Sequence, residues 1–259
     1  AFAQPGDAAN IGSPGKLHDD TQPPAGATTR ISAVQGVGAV SPLLGQSVTV
    51  RGVVTAYLPG LQGFFIQSLP EDDDGKAETS EGVFAYLGST AVPDMGAATV
   101  GKVVQFTGTV SEYKEQTQIG SISNFKLLGT TAAMPAAVTL QLPIADMALW
   151  ERYEGMRVRI SSVNGPLVVT DNYTLGRYGT LTLSSDGLLP QYTELNAPSV
   201  AGNQAFVAEV LRKQIILDDG SSKSNPSSVL GRNGQPLSAS NTLRAGDATM
   251  AAIEGVLDQ

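Results

Sequence analysis

The sequence predicts an all-β protein made of two small barrels in tandem, and three observations predict it. A glycine-framed strand of alternating polarity recurs four times along the chain. Turn-forming residues are plentiful, with 29 glycines and 15 prolines among 259 residues. Only 15% of residues are charged, below the roughly 25% usual for soluble domains. Long helical bundles rarely combine these traits, whereas short strands joined by many turns do. The hydrophobic fraction of 41% is enough to build a buried core.

Residues 1–29 are expected to form a flexible N-terminal arm, because Pro5, Gly6, Pro14, Gly15, Pro23, Pro24 and Gly26 stand among few bulky apolar residues. The opening Ala1-Phe2-Ala3-Gln4 has the small-x-small pattern left by signal-peptidase cleavage, which points to a secreted, extracellular protein with its signal peptide already removed. An arbitrary chain start reads the same way. His18, the only histidine, falls in this arm beside Asp19 and Asp20, where it is solvated rather than catalytic.

From Ile31 onward the pattern becomes short strands of period two. Gly45 opens a strand in which Val48, Val50 and Val53 alternate with Thr49 and Arg51. Gly101 opens a second copy that carries Val103, Val104, Phe106 and Val110. Gly155 begins a third, looser copy through Val158 and Ile160, and Gly246 begins a fourth that ends at Gly255-Val256-Leu257. A second glycine inside such a strand marks a bulge or a sharp bend, which a small barrel needs at its corners. Between the first two copies lie the strands Gly63-Phe64-Phe65-Ile66-Gln67 and Gly82-Val83-Phe84-Ala85-Tyr86. After the second come Gln116-Thr117-Gln118-Ile119 and Phe125-Lys126-Leu127-Leu128. This is the strand inventory of an OB-like barrel over 30–133, and a sandwich of equal strand count is the alternative.

A second OB-like barrel is expected over 134–259, with insertions, one helix and an incomplete C-terminal edge. Pro166-Leu167-Val168-Val169-Thr170, Thr180-Leu181-Thr182-Leu183 and Gln214-Ile215-Ile216-Leu217 read as strands. Asn203 to Arg212 reads as the one helix, with Phe206, Val207, Val210 and Leu211 on a single face. Asp218-Asp219-Gly220 is a turn, and residues 221–240 a long polar loop. The fourth glycine-framed strand runs straight to Gln259, so a barrel stopped there has an open edge, and the natural polypeptide is expected to continue.

The inventory of chemistry is short. Without cysteine there are no disulfides, thiolate nucleophiles or Cys-based zinc sites in this chain. No Gly-x-Ser-x-Gly elbow, His-Glu-x-x-His pair or phosphate loop occurs, and Gly36-Val37-Gly38 lacks the third glycine of a dinucleotide fingerprint. No apolar run is long enough to span a membrane. A net charge of −8 lacks the basic footprint of an autonomous nucleic-acid binder, so any such contact must use a local patch or another domain.

Two local features qualify as sites. Asp72, Asp73 and Asp74 sit in Glu71-Asp72-Asp73-Asp74-Gly75, with Glu78 and Glu81 nearby, and clustered carboxylates are what Ca2+ takes as ligands. The EF-hand register fails, because Pro70 would occupy its first ligand position, and a solvated acidic loop is the competing reading. Aromatics with interleaved cations are what single-stranded nucleic acid requires, since bases stack and phosphates pair. Phe64, Phe65, Tyr113, Lys114, Tyr173, Arg177 and Tyr178 are the candidates, against a structural reading in which they pack locally.

Several strings resemble the OB-like region of bacterial secreted nucleases of the endonuclease/exonuclease/phosphatase superfamily. The most specific are Glu151-Arg152-Tyr153-Glu154-Gly155-Met156 and Asn172-Tyr173-Thr174-Leu175-Gly176-Arg177-Tyr178-Gly179. Ile31 to Gly36, the Gly45, Gly63 and Gly82 strands, Ile215 to Gly220 and Leu243 to Asp247 follow in the same order, so the resemblance runs from about residue 30 to the end. It implies a C-terminal nuclease domain in cis that uses a divalent metal, Mg2+ or Ca2+, with a histidine–carboxylate constellation to cut phosphodiesters. No residue of that hydrolytic site maps onto this chain, which alone is expected to be inert and to need no cofactor. Extracellular DNA is the implied partner. The alternative from a different class is a structural or adhesive module that self-associates by strand addition at an open edge, and carbohydrate binding is a third.

Overall fold

The computed structural model describes residues 27–258, apart from 91, 93, 94, 97, 98, 131 and 132. The expected arm and His18 therefore lie outside the described residues, save for 27–29. The protein is all-β, as expected, with eleven strands in three sheets and a few short helices among the described residues.

Five strands make a closed barrel: β1 (Ser47–Leu58), β2 (Gly63–Gln67), β3 (Gly82–Tyr86), β4 (Lys102–Tyr113) and β5 (Gln116–Thr130), in the order β1-β2-β3-β5-β4. Every neighbouring pair is antiparallel except β3 with β5, which meet in parallel at Phe84–Gln118 and Ala85–Ile119. This is the five-stranded arrangement of an OB-type barrel. Alternation sends Val48, Val50, Val54, Val104, Phe106 and Val110 inward, where they pack with Phe64, Ile66, Val83 and Ile119. The Phe64 and Phe106 rings meet edge to face at 5.6 Å. β1 pairs with β4 up to Val53 and with β2 from Val53 onward, so the strand changes partners beside Gly52. A Cβ there would lie 2.8 Å from the carbonyl oxygen of Gln67, which is why this corner takes a glycine.

Two local expectations are corrected. Ile31–Gln35, where the run of short strands was expected to begin, is a helical turn, α1; Ile31 and Val34, three residues apart, lie on one face and join the barrel core. The two strands expected over 116–128 are one continuous strand, β5, which bends through register shifts against β4 with Ser121 and Asn124 at positive φ.

The second half builds two three-stranded sheets. β6 (Val138–Leu142), β7 (Arg157–Ser162) and β11 (Ile253–Val256) form one, in the order β11-β7-β6. β8 (Val168–Asp171), β9 (Leu181–Ser184) and β10 (Gln214–Leu217) form the other, in the order β10-β9-β8. The sheets share one core, made by Leu140, Leu142, Val158, Ile160, Val169, Leu181 and Leu183 among others. A bridge between Val168 and Ala248 links them, where the first half closes into a continuous ring. Short helices α2 (Leu175–Tyr178) and α3 (Tyr192–Leu195) and the longer α4 (Val200–Arg212) fill the insertions. The expected helix is thus present, capped by Ser199, whose side chain accepts from the Gly202 N–H. Its apolar face lies at the surface: no residue of α4 is fully buried. Among the described residues no helix is long and apolar enough to cross a membrane.

Candidate functional site

OB barrels commonly bind ligands on the β2–β3 face and on the loops between strands 1–2 and 4–5. In this protein the β2–β3 face is covered by its own second half. Consecutive residues of β2 point to opposite sides, so Phe64 enters the barrel and Phe65 faces outward, against Phe84 at 4.8 Å between ring centroids. Both are nevertheless buried, at 0% and 1% exposure, and neither offers a ring to a base.

The cover is the segment 154–157. Gln67, on the same side of β2 as Phe65, accepts the Arg157 N–H at 3.0 Å. Gly82 and Gly155 bring two backbones into contact: a Cβ on Gly82 would fall 2.2 Å from the Gly155 carbonyl carbon. The Ser80 hydroxyl donates to the Glu154 carbonyl at 2.5 Å, and Gln35 from α1 donates to both the Gly82 carbonyl and the Glu154 carboxylate. Gln116 at the start of β5 bonds to Asp258.

Glu154 is the most unusual group in this seam. It is 1% exposed; its Oε1 accepts from Gln35 and from the Thr117 N–H, while Oε2 has no partner. Burial pushes its carboxyl up to about 8, helped by the Glu151 and Glu112 charges and opposed by the bonds from Gln35 and Thr117. Thr117 also donates its hydroxyl to Glu112, and the second oxygen of Glu112 is likewise buried without a partner. Sequence reasoning singled out Glu151 to Met156 as a string, but nothing in it signalled that Glu154 is buried.

The loops remain open. Tyr113 ends β4 and is 57% exposed, and the Lys114 ammonium sits 5.4 Å from its ring centroid. Lys114 and Glu115, both at positive φ, make the tight turn into β5 that projects this pair. On the second half, Tyr173 is 90% exposed, and the Arg177 guanidinium lies 5.0 Å from the Tyr178 ring centroid. Of the seven aromatic and basic candidates, five are thus at the surface. They form two groups on separate elements, one on the β4–β5 turn and one around α2.

The acidic loop between β2 and β3 divides. Asp72 makes a two-pronged bond to Arg51 of β1, at 2.8 and 2.9 Å, and is committed to that pair. Asp73 and Asp74 converge instead with Glu81, a residue the sequence reading left outside its candidate set.

No family model matches the chain, and neither does any curated protein. Among solved structures, an OBody, AM1L10, bound to hen egg-white lysozyme is similar at 18% identity over 40% of this chain and 95% of its own, with a TM-score of 0.28.

Proposed function

We propose that this chain is the non-catalytic, nucleic-acid-handling region of a secreted nuclease, whose hydrolytic chemistry belongs to a further domain in cis. The observation that carries this reading is the pairing of exposed Tyr113 with Lys114 on the β4–β5 turn of a closed β1-β2-β3-β5-β4 barrel, a stacking ring and a phosphate partner on a loop such barrels use for oligonucleotides. The exposed Tyr173 and the Arg177–Tyr178 pair supply a second surface of the same chemistry, and they fall inside one of the strings that resembles the nuclease family. A divalent metal is assigned to the hydrolytic domain, and no residue here takes part in cleavage.

Anisotropy of a labelled single-stranded oligonucleotide, titrated at rising salt, tests the reading. Binding is expected to weaken steeply with salt, and Tyr113→Ala with Lys114→Ala to weaken it by about tenfold, the scale of one lost stacking contact. Absence of binding at low salt, or binding that the double variant leaves unchanged, would overturn it, as would cleavage of DNA by this chain with Mg2+. The competing reading, self-association by strand addition, draws on β10, an edge strand with Ile216 64% exposed. It predicts concentration-dependent oligomers in sedimentation.

A further inference from the structure

We infer that Asp73, Asp74 and Glu81 form a calcium-ion site at the rim of the seam between the two halves. One carboxylate oxygen from each lies within 4.8 Å of the other two. Ca2+ holds oxygens at about 2.3–2.6 Å, so ligands on opposite sides of its shell stand about 5 Å apart, and the three oxygens fit within that span.

A cluster of acids on a loop is common, and what separates this one is Glu81. It is only 5% exposed, one of its carboxylate oxygens accepts the Asp74 N–H at 3.1 Å, and the other, Oε2, is buried without a hydrogen-bond partner. The Ser68 hydroxyl beside this carboxylate offsets its burial only in part, and a bound cation is the partner that removes the remaining cost. Charge points the same way. Among the described residues, the ion pair to these three acids is Lys76 to Asp74 at 3.8 Å, from an exposed lysine. Arg51 is taken by Asp72 and Glu71. Three carboxylates and one ammonium leave two negative charges, which one divalent ion neutralises.

The loop is built to hold its acids in place. Asp73 accepts from the Gly75 N–H, and Asp74 from the Lys76 N–H and the Thr79 hydroxyl. Asp73 and Glu81 line a cavity of about 310 Å3 together with Arg152, Tyr153 and Met156, room for the waters that complete a calcium shell. Irregular spacing of the acids suits Ca2+ over Mg2+, which demands a near-ideal octahedron. The site is independent of nucleic-acid binding and of any hydrolytic metal.

Tyr153 in the cavity wall provides the readout. Terbium, a calcium mimic, is titrated into the chain and its tyrosine-sensitised luminescence followed, then displaced with Ca2+; thermal unfolding is recorded with and without Ca2+. The expected result is saturable luminescence reversed by Ca2+, a Ca2+-dependent rise in the unfolding temperature, and a loss of Ca2+ affinity of about tenfold or more in Glu81→Gln and in Asp73→Asn. Asp73 is exposed, so its variant folds whatever happens at Glu81. Asp72→Asn is expected to keep the full calcium response, because that side chain belongs to Arg51. Absence of luminescence and of any thermal shift, or a response equal in wild type and Asp73→Asn, would overturn the assignment; so would a response abolished only by Asp72→Asn.

Discussion

Replacing Glu154 by glutamine should make the protein more stable at alkaline pH and leave it nearly unchanged at acid pH. Glu154 is held in the seam with one oxygen satisfied and one bare, and its carboxyl is raised from the ordinary 4.5 to about 8. The usual structural carboxylate is depressed and stabilises a fold as pH rises; this one is raised, so the sign reverses. Between pH 4.5 and about 8 the folded chain holds a proton that the unfolded chain releases, and stability falls as pH increases through that window. At 1.36 kcal/mol per pH step, the whole shift is worth about 5 kcal/mol, of which about 2.5 kcal/mol is lost between pH 5 and pH 7. Glutamine has the same shape, can keep the acceptor for Gln35 and Thr117, and cannot ionise.

Urea unfolding of both proteins at pH 5, 7 and 9 measures this, with the single tryptophan, Trp150, as a probe four residues from the substituted site. Other titrating groups, including the raised Glu81 and Asp219 and the lowered Asp74 and Asp247, contribute equally to both proteins and cancel in the difference. The expected gap between Glu154→Gln and wild type is about 1 kcal/mol at pH 5 and grows to as much as about 5 kcal/mol at pH 9. Parallel stability curves, or a wild type that gains on the variant as pH rises, would refute the assignment of a raised carboxyl to the seam.

Two further expectations concern packing. Gly155→Ala places a Cβ 2.7 Å from the Gly82 and Val83 backbone at a residue with φ of +71°, and should cost about 3 kcal/mol or more, strain and overpacking combined. Gly187→Ala has similar φ, +76°, and open space around it, so urea unfolding should show only about 1–2 kcal/mol; equal losses would mean the two backbones do not touch. Phe64→Ala, which empties the middle of the barrel, should cost about 3–5 kcal/mol by the same measurement, while Tyr173→Ala should stay within about 0.5 kcal/mol.

Local pattern carried the strands well and the tertiary features poorly. β2, β3 and β10 begin and end where alternation and turn residues place them, because each is bounded by a glycine or an acidic turn. Gly45, Gly101 and Gly155, all at positive φ, stand one or two residues before β1, β4 and β7, so three copies of the repeat were a genuine backbone signal; Gly246 also has positive φ, but β11 begins only at Ile253. Ile31–Gln35 is too short for spacing to separate a helical turn from a strand. β6 alternates visibly at Val138, Leu140 and Leu142, yet it pairs in parallel with β7 and no hairpin turn announces it. Phe65 illustrates the limit for function: alternation told correctly that one of two adjacent phenylalanines faces out of the barrel, and could not tell that the second half of the chain covers it. Glu81 and Glu154 were beyond reach for the same reason, since glutamate reads as surface unless a distant element is known to close over it.

The covered β2–β3 face has a consequence for how any ligand is held. An apolar face alone would let the two halves slide, because burial of nonpolar area has little direction. Here two glycines let the backbones approach closely enough for Ser80, Gln67 and Gln35 to reach hydrogen-bond partners on the other side, which fixes one register. That same closeness leaves Glu154 and Glu81 only 1% and 5% exposed, so the seam fixes its geometry at the expense of two poorly solvated carboxylates. A proton relieves the first, and the proposed calcium ion the second. Tyr113 belongs to the barrel and Tyr173 to the second half, so the contact between the halves sets the spacing of the two aromatic loops. Loss of the Glu154 proton at alkaline pH therefore weakens the contact that fixes how these two loops are placed.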